Sequence, residues 1–563
     1  MLPGDLERIV RRLFRDVDTP LSSRGLQALE QPERLVDFLK TRVDPRAYTS
    51  SEAYFKDALV VSFLKKCADL RLPGVDRVRS AREIWLNAER RNALTNTRFS
   101  RFNNGQVLPH EAASWEILKL VQKEFRKLMG RAPSRLEGSR FGPGATLSDR
   151  GRLTTVPDKM TTRPSVSSGA RCLLGFWQET AWFRALCADR PHSTDPLTVD
   201  HERFLTVRKD AFKDRGICVG PSVNVYFQLG VGSFIRRKRL DRVGIVLEEA
   251  QDVHKRVACE ASLSGAHATV DCSSASDLNA SQMIRFLCDD DWWLLLNALR
   301  TTHTQMRWGS DLGIPRPAAK VGRPGGQVFW HVQKFSAMGN GYTFELETCV
   351  FLAAGLAACR LAGIPAEYGR EVLVYGDDII VPTGAAKALM HILDLLGHIP
   401  NESKTFVDGP FRESCGGDFF HGVAVRPYHL KEFPSEPQDW IGLANGLRRM
   451  AAGSPRELSR WSYLRSSWFA VLDQIPSHIR KCRGPESLGD IVIHDDREHW
   501  SRGRAVNWIG SLQVYSPFRR ALDWSNWTSQ VQLAAALYGV GSEGPLPRGS
   551  EGSYSLRWIP FSG

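Results

Sequence analysis

Two adjacent carboxylates stand at the tip of an apolar hairpin pattern, "VLVYGDDIIVP", residues 372–382. The apolar runs on either side of Gly376-Asp377-Asp378 predict two strands, buried or half-buried, joined by a tight turn. Two Asp side chains at one turn repel each other, and burying strands around unpaired carboxylates is costly. A bound cation resolves both problems, and an all-oxygen donor set favours a hard ion. About a hundred residues upstream lies "AHATVDCSSASDLNASQMI" (266–284). Its "ATVD" reads as a strand ending in Asp271, and "SSASD" reads as a turn into a helix. Asp271 is placed to face a neighbouring hairpin tip. With Asp377 and Asp378 it would make a Mg²⁺ site. A pair of such ions can activate an attacking hydroxyl and stabilise a leaving pyrophosphate.

Between the two acidic sites lies "KFSAMGNGYTFELET" (334–348). Ser336, Ala337, Gly339 and Gly341 let a ligand approach the backbone closely, and a helix follows with Thr343, Glu345 and Glu347 in its first turns. Two other acidic clusters compete. "CDDDWW" (288–293) has a helical context and no glycine turn, and "IVIHDDREH" (491–499) runs into alternating charges and reads as an exposed segment. Neither is expected to be catalytic.

The elements that must carry these groups are legible in outline. The first ~130 residues carry apolar residues at helical spacing, as in "ASWEILKLVQKEFRKLM" (113–129). A Gly/Pro/Thr-rich basic loop spans 140–159. Residues 208–242 hold nine Lys/Arg against three Asp, a basic stretch broken by glycines. Residues 265–430 mix strand-like runs with short helices, 309–326 reads as a loop, and helices rich in Trp and Arg resume from 431. The stretch 541–563 is expected to be a flexible tail.

Composition narrows the partners. The chain has 563 residues, a formal net charge of +13 and a pI near 9.3. That bias points to a polyanion, either nucleic acid or an acidic membrane surface. No apolar run reaches the ~18–20 residues a membrane span needs; "TCVFLAAGLAAC" (348–359) reads as a buried helix. The start, "MLPGDLERIVRRLF", lacks an apolar signal core. Eleven scattered cysteines without a CxxC pair suggest reduced thiols in a cytoplasm, not a disulfide framework or a zinc site.

The order Asp271, Ser/Gly-rich loop into a helix, then "YGDD" resembles palm motifs A, B and C of viral RNA polymerases. "NESKTF" (401–406) resembles the next motif, with Lys404 as proton donor to pyrophosphate, and "FRESCGGDFFHGVAV" (411–425) a hairpin near the primer strand. "SSASD", "MGNGYTFELE", "YGDDII", "KTFVDGPFRESCG", "QLGVGSFIRRKRL" and "FGPGAT" together resemble the replicase catalytic (beta) subunit of single-stranded RNA bacteriophages, the levivirus group, over about 140–430.

The resemblance implies an α+β right-hand polymerase with a small antiparallel palm sheet backed by helices. Its N-terminal region and fingers would span 1–265, the palm 266–430, and a mostly helical thumb 431–540. It implies template-directed RNA synthesis with two Mg²⁺ held by Asp271, Asp377 and Asp378; Mn²⁺ can substitute. Asp277 and Ser336, or Asn340, would read the ribose 2′-hydroxyl. Lys209, Lys213 and Arg215 would neutralise the triphosphate. Here the sequence departs from the family pattern, with Arg208-Lys209 and Val219-Gly220-Pro221 where a Pro-Lys pair and a Lys-Glu-Pro are expected. Partners by resemblance are single-stranded RNA template, nascent RNA, NTPs, the host elongation factors Tu and Ts, and the large RNA-binding protein of the small ribosomal subunit. There is no membrane partner, and the setting is the cytoplasm of the infected bacterial host. Two other readings are a reverse transcriptase-like polymerase, opposed by Gly376 and Asp277, and a non-catalytic basic RNA-binding protein, which leaves the strand-embedded carboxylates unexplained.

Overall fold

The computed structural model describes residues 2–151, 153–192, 194–307, 327–453, 460–506, 509–518, 521–546 and 553–561. The 309–326 loop therefore lies outside the described residues.

At the centre is a three-stranded antiparallel sheet in the order His267–Val270, Asp378–Pro382, Leu373–Tyr375. Val270, Leu373, Val374, Ile379, Ile380 and Val381 are all buried. Strands this apolar need cover, and the helices Thr343–Leu361 and Leu247–Ser264 both pack on them. Thr343–Leu361 is buried almost around its whole circumference, as expected of a central helix. It also packs on the helices Ala112–Met129 and Ala386–Leu396. Val270 stands opposite Ile379, and this register brings the next residue, Asp271, alongside Asp378.

A four-stranded sheet lies beside this core in the order Asp214–Val219, His201–Arg208, His303–Arg307, Gln327–His331. The 27-residue helix Arg77–Asn103 packs on its Asp214–Val219 strand.

The chain ends meet where the sequence separated them. Helices Gly4–Val17, Pro20–Ala28, Pro32–Lys40 and Ser51–Ser62 share a second apolar core with Pro437–Ala452 and Trp461–Leu472. The buried Arg460 crosses this junction, 2.9 Å from Glu52 and 3.7 Å from the Phe55 ring centroid. The first ~60 residues thus share a core with part of the expected thumb, and that core also takes in Ala211, Phe411 and Phe420.

The C-terminal region is less helical than expected. Arg502–Val506, Ile509–Pro517 and Tyr554–Phe561 form an antiparallel sheet, so part of the stretch expected to be a flexible tail is a strand. Helix Ser529–Leu537 returns to the main core against Ala181–Asp189, where the Tyr226 and Tyr538 hydroxyls meet at 2.7 Å. Trp468 is buried, and Trp524 and Trp527 pack half-buried on the main core.

The competing acidic clusters are structural. Asp289 pairs with Arg126 at 2.9 Å, Asp290 with Arg285 at 2.7 Å, and Asp291 accepts the Ala132 N–H at 2.8 Å. Residues 496–499 are exposed as expected, but Asp495 is half-buried, with its side chain 5% exposed. It is held by the Arg483 guanidinium, with Arg448 at 3.7 Å. All eleven cysteines are free. Among the described residues no helix is long and apolar enough to cross a membrane.

Burial also makes three histidines acid-sensitive. It lowers the pKa of His254 to about 4 and those of His398 and His429 to about 3. Neither ring nitrogen of His398 has a hydrogen-bond partner, and the ring meets Phe351 edge-on at 4.8 Å. In the unfolded chain such a ring titrates near 6.5, so its contribution to stability is present above that pH and lost as the pH falls toward the folded pKa. His398→Phe is expected to flatten the stability–pH curve below about 6.5 by one proton, about 1.4 kcal/mol per pH unit. Denaturant melts of both chains at pH 7 and 5 check this; parallel curves refute it.

Candidate active site

The hairpin turn that presents the carboxylates needs a glycine for two reasons. Gly376 has φ of 61° while Asp377 does not go positive, the sign pattern of a type II′ turn. A Cβ at Gly376 would also lie 2.7 Å from the Phe344 ring. The Gly376 N–H donates to Thr348 Oγ1 at 3.2 Å, tying the turn to the central helix. Asp377 is exposed at the tip, and Asp378 is half-buried beside it.

Asp271 leaves its strand into the same cleft. Asn401 holds it twice, with its N–H on the Asp271 carbonyl at 2.8 Å and its Nδ2 on Oδ2 at 2.9 Å. Burial pushes the Asp271 carboxyl up; Lys404 opposes this and Asp377 adds to it. Asp378 is pushed up to about 6 by burial and then by Asp377, with the Cys415 backbone N–H pulling the other way. That N–H comes from a second hairpin, Phe411–Ser414 with Gly417–Phe420. Its turn residues Cys415 and Gly416 have φ of 47° and 79°, as a type I′ turn requires.

Lys404 reaches in from the other side, 3.9 Å from Asp271 Oδ2 and 3.7 Å from Glu413 Oε1. Burial opposes its charge, but Glu413, Asp271, Asp378 and Asp377 outweigh burial and its pKa lies above the ordinary lysine value.

These groups line one cleft of about 860 Å³ together with Asp277, Asn340, Lys209, Lys213 and Arg215. Lys209 and Lys213 sit on the turn joining His201–Arg208 to Asp214–Val219, and Arg215 at the start of that second strand. Asp210 shapes that turn, accepting the Phe212 and Lys213 N–H groups, both at 2.9 Å. Gly339 carries the loop against the end of the second strand; its φ is 113°, and a Cβ there would lie 2.1 Å from the Cys218 carbonyl oxygen.

Ser336 is the exception among the expected residues. It is buried behind the cleft wall, where its Oγ accepts the Thr343 hydroxyl at 2.8 Å. Among the described residues, the group of three metal-type ligands with atoms within 4.8 Å of one another is Asp495, Asp496 and His499. Its central carboxylate is already neutralised by Arg483 and Arg448.

A family described as "RNA replicase, beta-chain" matches residues 16–474. The chain belongs to this RNA replicase beta-chain family. The RNA-directed RNA polymerase subunit beta of Enterobacteria phage SP is 31% identical over 479 residues, covering 83% of this chain and 75% of the relative. That of Escherichia virus Qbeta is 31% identical over 494 residues, covering 86% and 74%. A solved "RdRp complex" is 12% identical with a TM-score of 0.35, covering 63% of this chain and 32% of that one; at that level the likeness adds nothing to the fold above. The replicase is therefore an RNA-directed RNA polymerase, and the reading as a non-catalytic RNA-binding protein falls.

Four residues of the replicase cleft were not singled out from its sequence as site residues. Glu413 and Asn401 stand beside Lys404 in space and flank it in "NESKTFVDGPFRES". Glu347 lies buried under the Asp pair. Burial and then Asp377 push its carboxyl well above the ordinary range, and Asn279 Nδ2 donates to it at 3.2 Å. Lys334, wholly buried, holds Asp277 at 2.5 Å. Its ammonium shows in sequence only as an unremarkable Lys ahead of "FSAMGNG".

Proposed function

We propose that this cleft transfers a nucleotidyl group from an NTP to the 3′-hydroxyl of a growing RNA on a single-stranded RNA template of a positive-strand RNA phage. The observation that carries the reading is the convergence of Asp271, Asp377 and Asp378 at one end of a buried sheet, with Lys404 facing them and three basic residues across the cleft. The donor set fits Mg²⁺: it is all oxygen, and two of the three carboxyls, Asp271 and Asp378, are pushed up by burial and by the neighbouring Asp377, as negative charge awaiting a cation would be. Asp271 and Asp377 would hold two ions, with Asp378 supporting. Bound there, they would acidify the attacking hydroxyl and neutralise charge on the leaving pyrophosphate.

The protein's own groups do the rest. Lys209, Lys213 and Arg215 bind the triphosphate; burial and then the neighbouring Arg215 and Lys213 lower the pKa of Lys209, so an anion between them relieves their repulsion. Asp277, with its carboxylate on the cleft wall, accepts the ribose 2′-hydroxyl, and Asn340 borders the same space. Lys404 gives its proton to the departing pyrophosphate. Host elongation factors Tu and Ts and the large RNA-binding protein of the small ribosomal subunit complete the working complex. This inference comes from the family resemblance, and Phe469, Leu533 and Leu537 are among the apolar side chains exposed on the C-terminal helices.

The test incubates the tagged, salt-washed chain with single-stranded RNA, labelled NTPs and Mg²⁺, with and without bacterial lysate. Incorporation that requires Mg²⁺ and rises with lysate is expected. No incorporation in either arm overturns the reading, and full activity of the chain alone removes the host factors from it.

A further inference from the structure

Glu89, Asn92 and Asn96 recur at three- and four-residue spacing, so they share one face of the helix Arg77–Asn103. All three are buried polar groups, which is costly unless each is bonded. Each grips a loop of the active site. Glu89 accepts the N–H of Gln333 at 2.5 Å and, at 3.6 Å, faces the Lys334 ammonium. Asn92 Nδ2 donates to the Asp277 carbonyl at 2.7 Å, and Asn96 Nδ2 to the Gln333 carbonyl at 2.7 Å. Between them Lys334 lies 4.4 Å from the Trp85 ring centroid and bonds Asp277 Oδ1. The two loops also pair directly, Phe335 N–H to the Asn279 carbonyl at 2.6 Å and Ser281 N–H to that of Gln333 at 3.0 Å.

A carboxylate on the wall of an acidic cleft would otherwise be repelled by its neighbours and turn away. We infer that Lys334, braced by Glu89 and Trp85, is the positioning residue for sugar selection. It fixes the Asp277 rotamer through Oδ1, leaving Oδ2 to accept the 2′-hydroxyl of the incoming NTP. This rests on the reading of Asp277 as the sugar contact. Removing the ammonium takes from the buried Glu89 and the half-buried Asp277 the cation they share, which is costly for the fold.

The experiment measures kcat/KM for a matched NTP and its 2′-deoxy analogue on a primed RNA template. It uses the full chain as wild type, Asp277→Ala, Lys334→Met, Lys334→Met with Glu89→Gln, and Lys334→Met with Asp277→Ala. Lys334→Met is expected to lower the NTP:dNTP ratio roughly ten- to a hundredfold, the worth of one hydrogen bond to a charged group, with the loss falling on the NTP. Adding Glu89→Gln removes the surplus buried charge; it restores thermal stability and not the ratio, which separates selection from folding. In the Asp277→Ala background Lys334→Met has no further effect on the ratio. A wild-type ratio in either folded Lys334→Met chain, or losses that multiply in the Asp277→Ala chain, overturns the inference. An unchanged ratio in Asp277→Ala alone would instead refute the sugar-contact reading on which it rests.

Discussion

Asp271→Asn and Asp377→Asn are each expected to abolish RNA synthesis in a chain that remains folded. Each exchange keeps the side chain's shape and removes a charged oxygen donor. Loss of a metal ligand costs several kcal/mol of transition-state stabilisation, a rate loss of roughly a thousandfold or more. Folding should not suffer. Asp377 is exposed at the turn. An Asn at 271 can still accept the Asn401 Nδ2 bond through its amide oxygen. Burial and Asp377 already oppose the Asp271 charge, so the neutral variant should unfold at the same denaturant concentration as wild type or slightly higher. Single-turnover nucleotide incorporation beside a denaturant melt checks both halves. Incorporation within tenfold of wild type by either variant would remove that residue from the metal site.

Lys404→Leu should slow the chemical step about 10²–10⁴-fold, the usual worth of a general acid, and leave RNA binding intact. The side chain is half exposed, and its ammonium stands between Asp271 and Glu413 at 3.9 and 3.7 Å. Those carboxylates keep it protonated, which a proton donor needs at the start of the reaction and a mere surface lysine does not. A rival role is a fixed counter-charge for the acidic cleft. Lys404→Arg distinguishes the two, since a guanidinium keeps the charge and does not give up a proton. The donor role predicts that Arg is nearly as slow as Leu in single-turnover incorporation. A wild-type rate with Arg would leave Lys404 as a counter-ion only.

What the sequence determined by itself is local and carried by chemistry that repeats in register. The Gly376-Asp377-Asp378 turn between apolar runs announces its own conformation, because only a glycine there allows the positive φ and the approach of Phe344. "ATVD" and "KFSAMGNGYTFELET" likewise show a strand end and a helix start from composition alone, and the strands and helix found there are those expected. That Asp271 lies beside Asp378 was decided by strand pairing across a hundred residues, and no short pattern encodes a register.

The tertiary structure alone decided the rest. Ser336 turned to Thr343 and away from the cleft because the loop packs inward there. The Asp495 side chain became covered because Arg448 and Arg483 arrive from two other segments. The first helices joined the last ones because each amphipathic stripe needs an apolar partner and does not specify which. Lys334 acquired its part through Glu89 and Trp85, some 245 residues earlier in the chain. Burial makes a buried charge depend on whichever opposite charge the fold delivers, and that delivery is a property of packing, which local spacing does not contain.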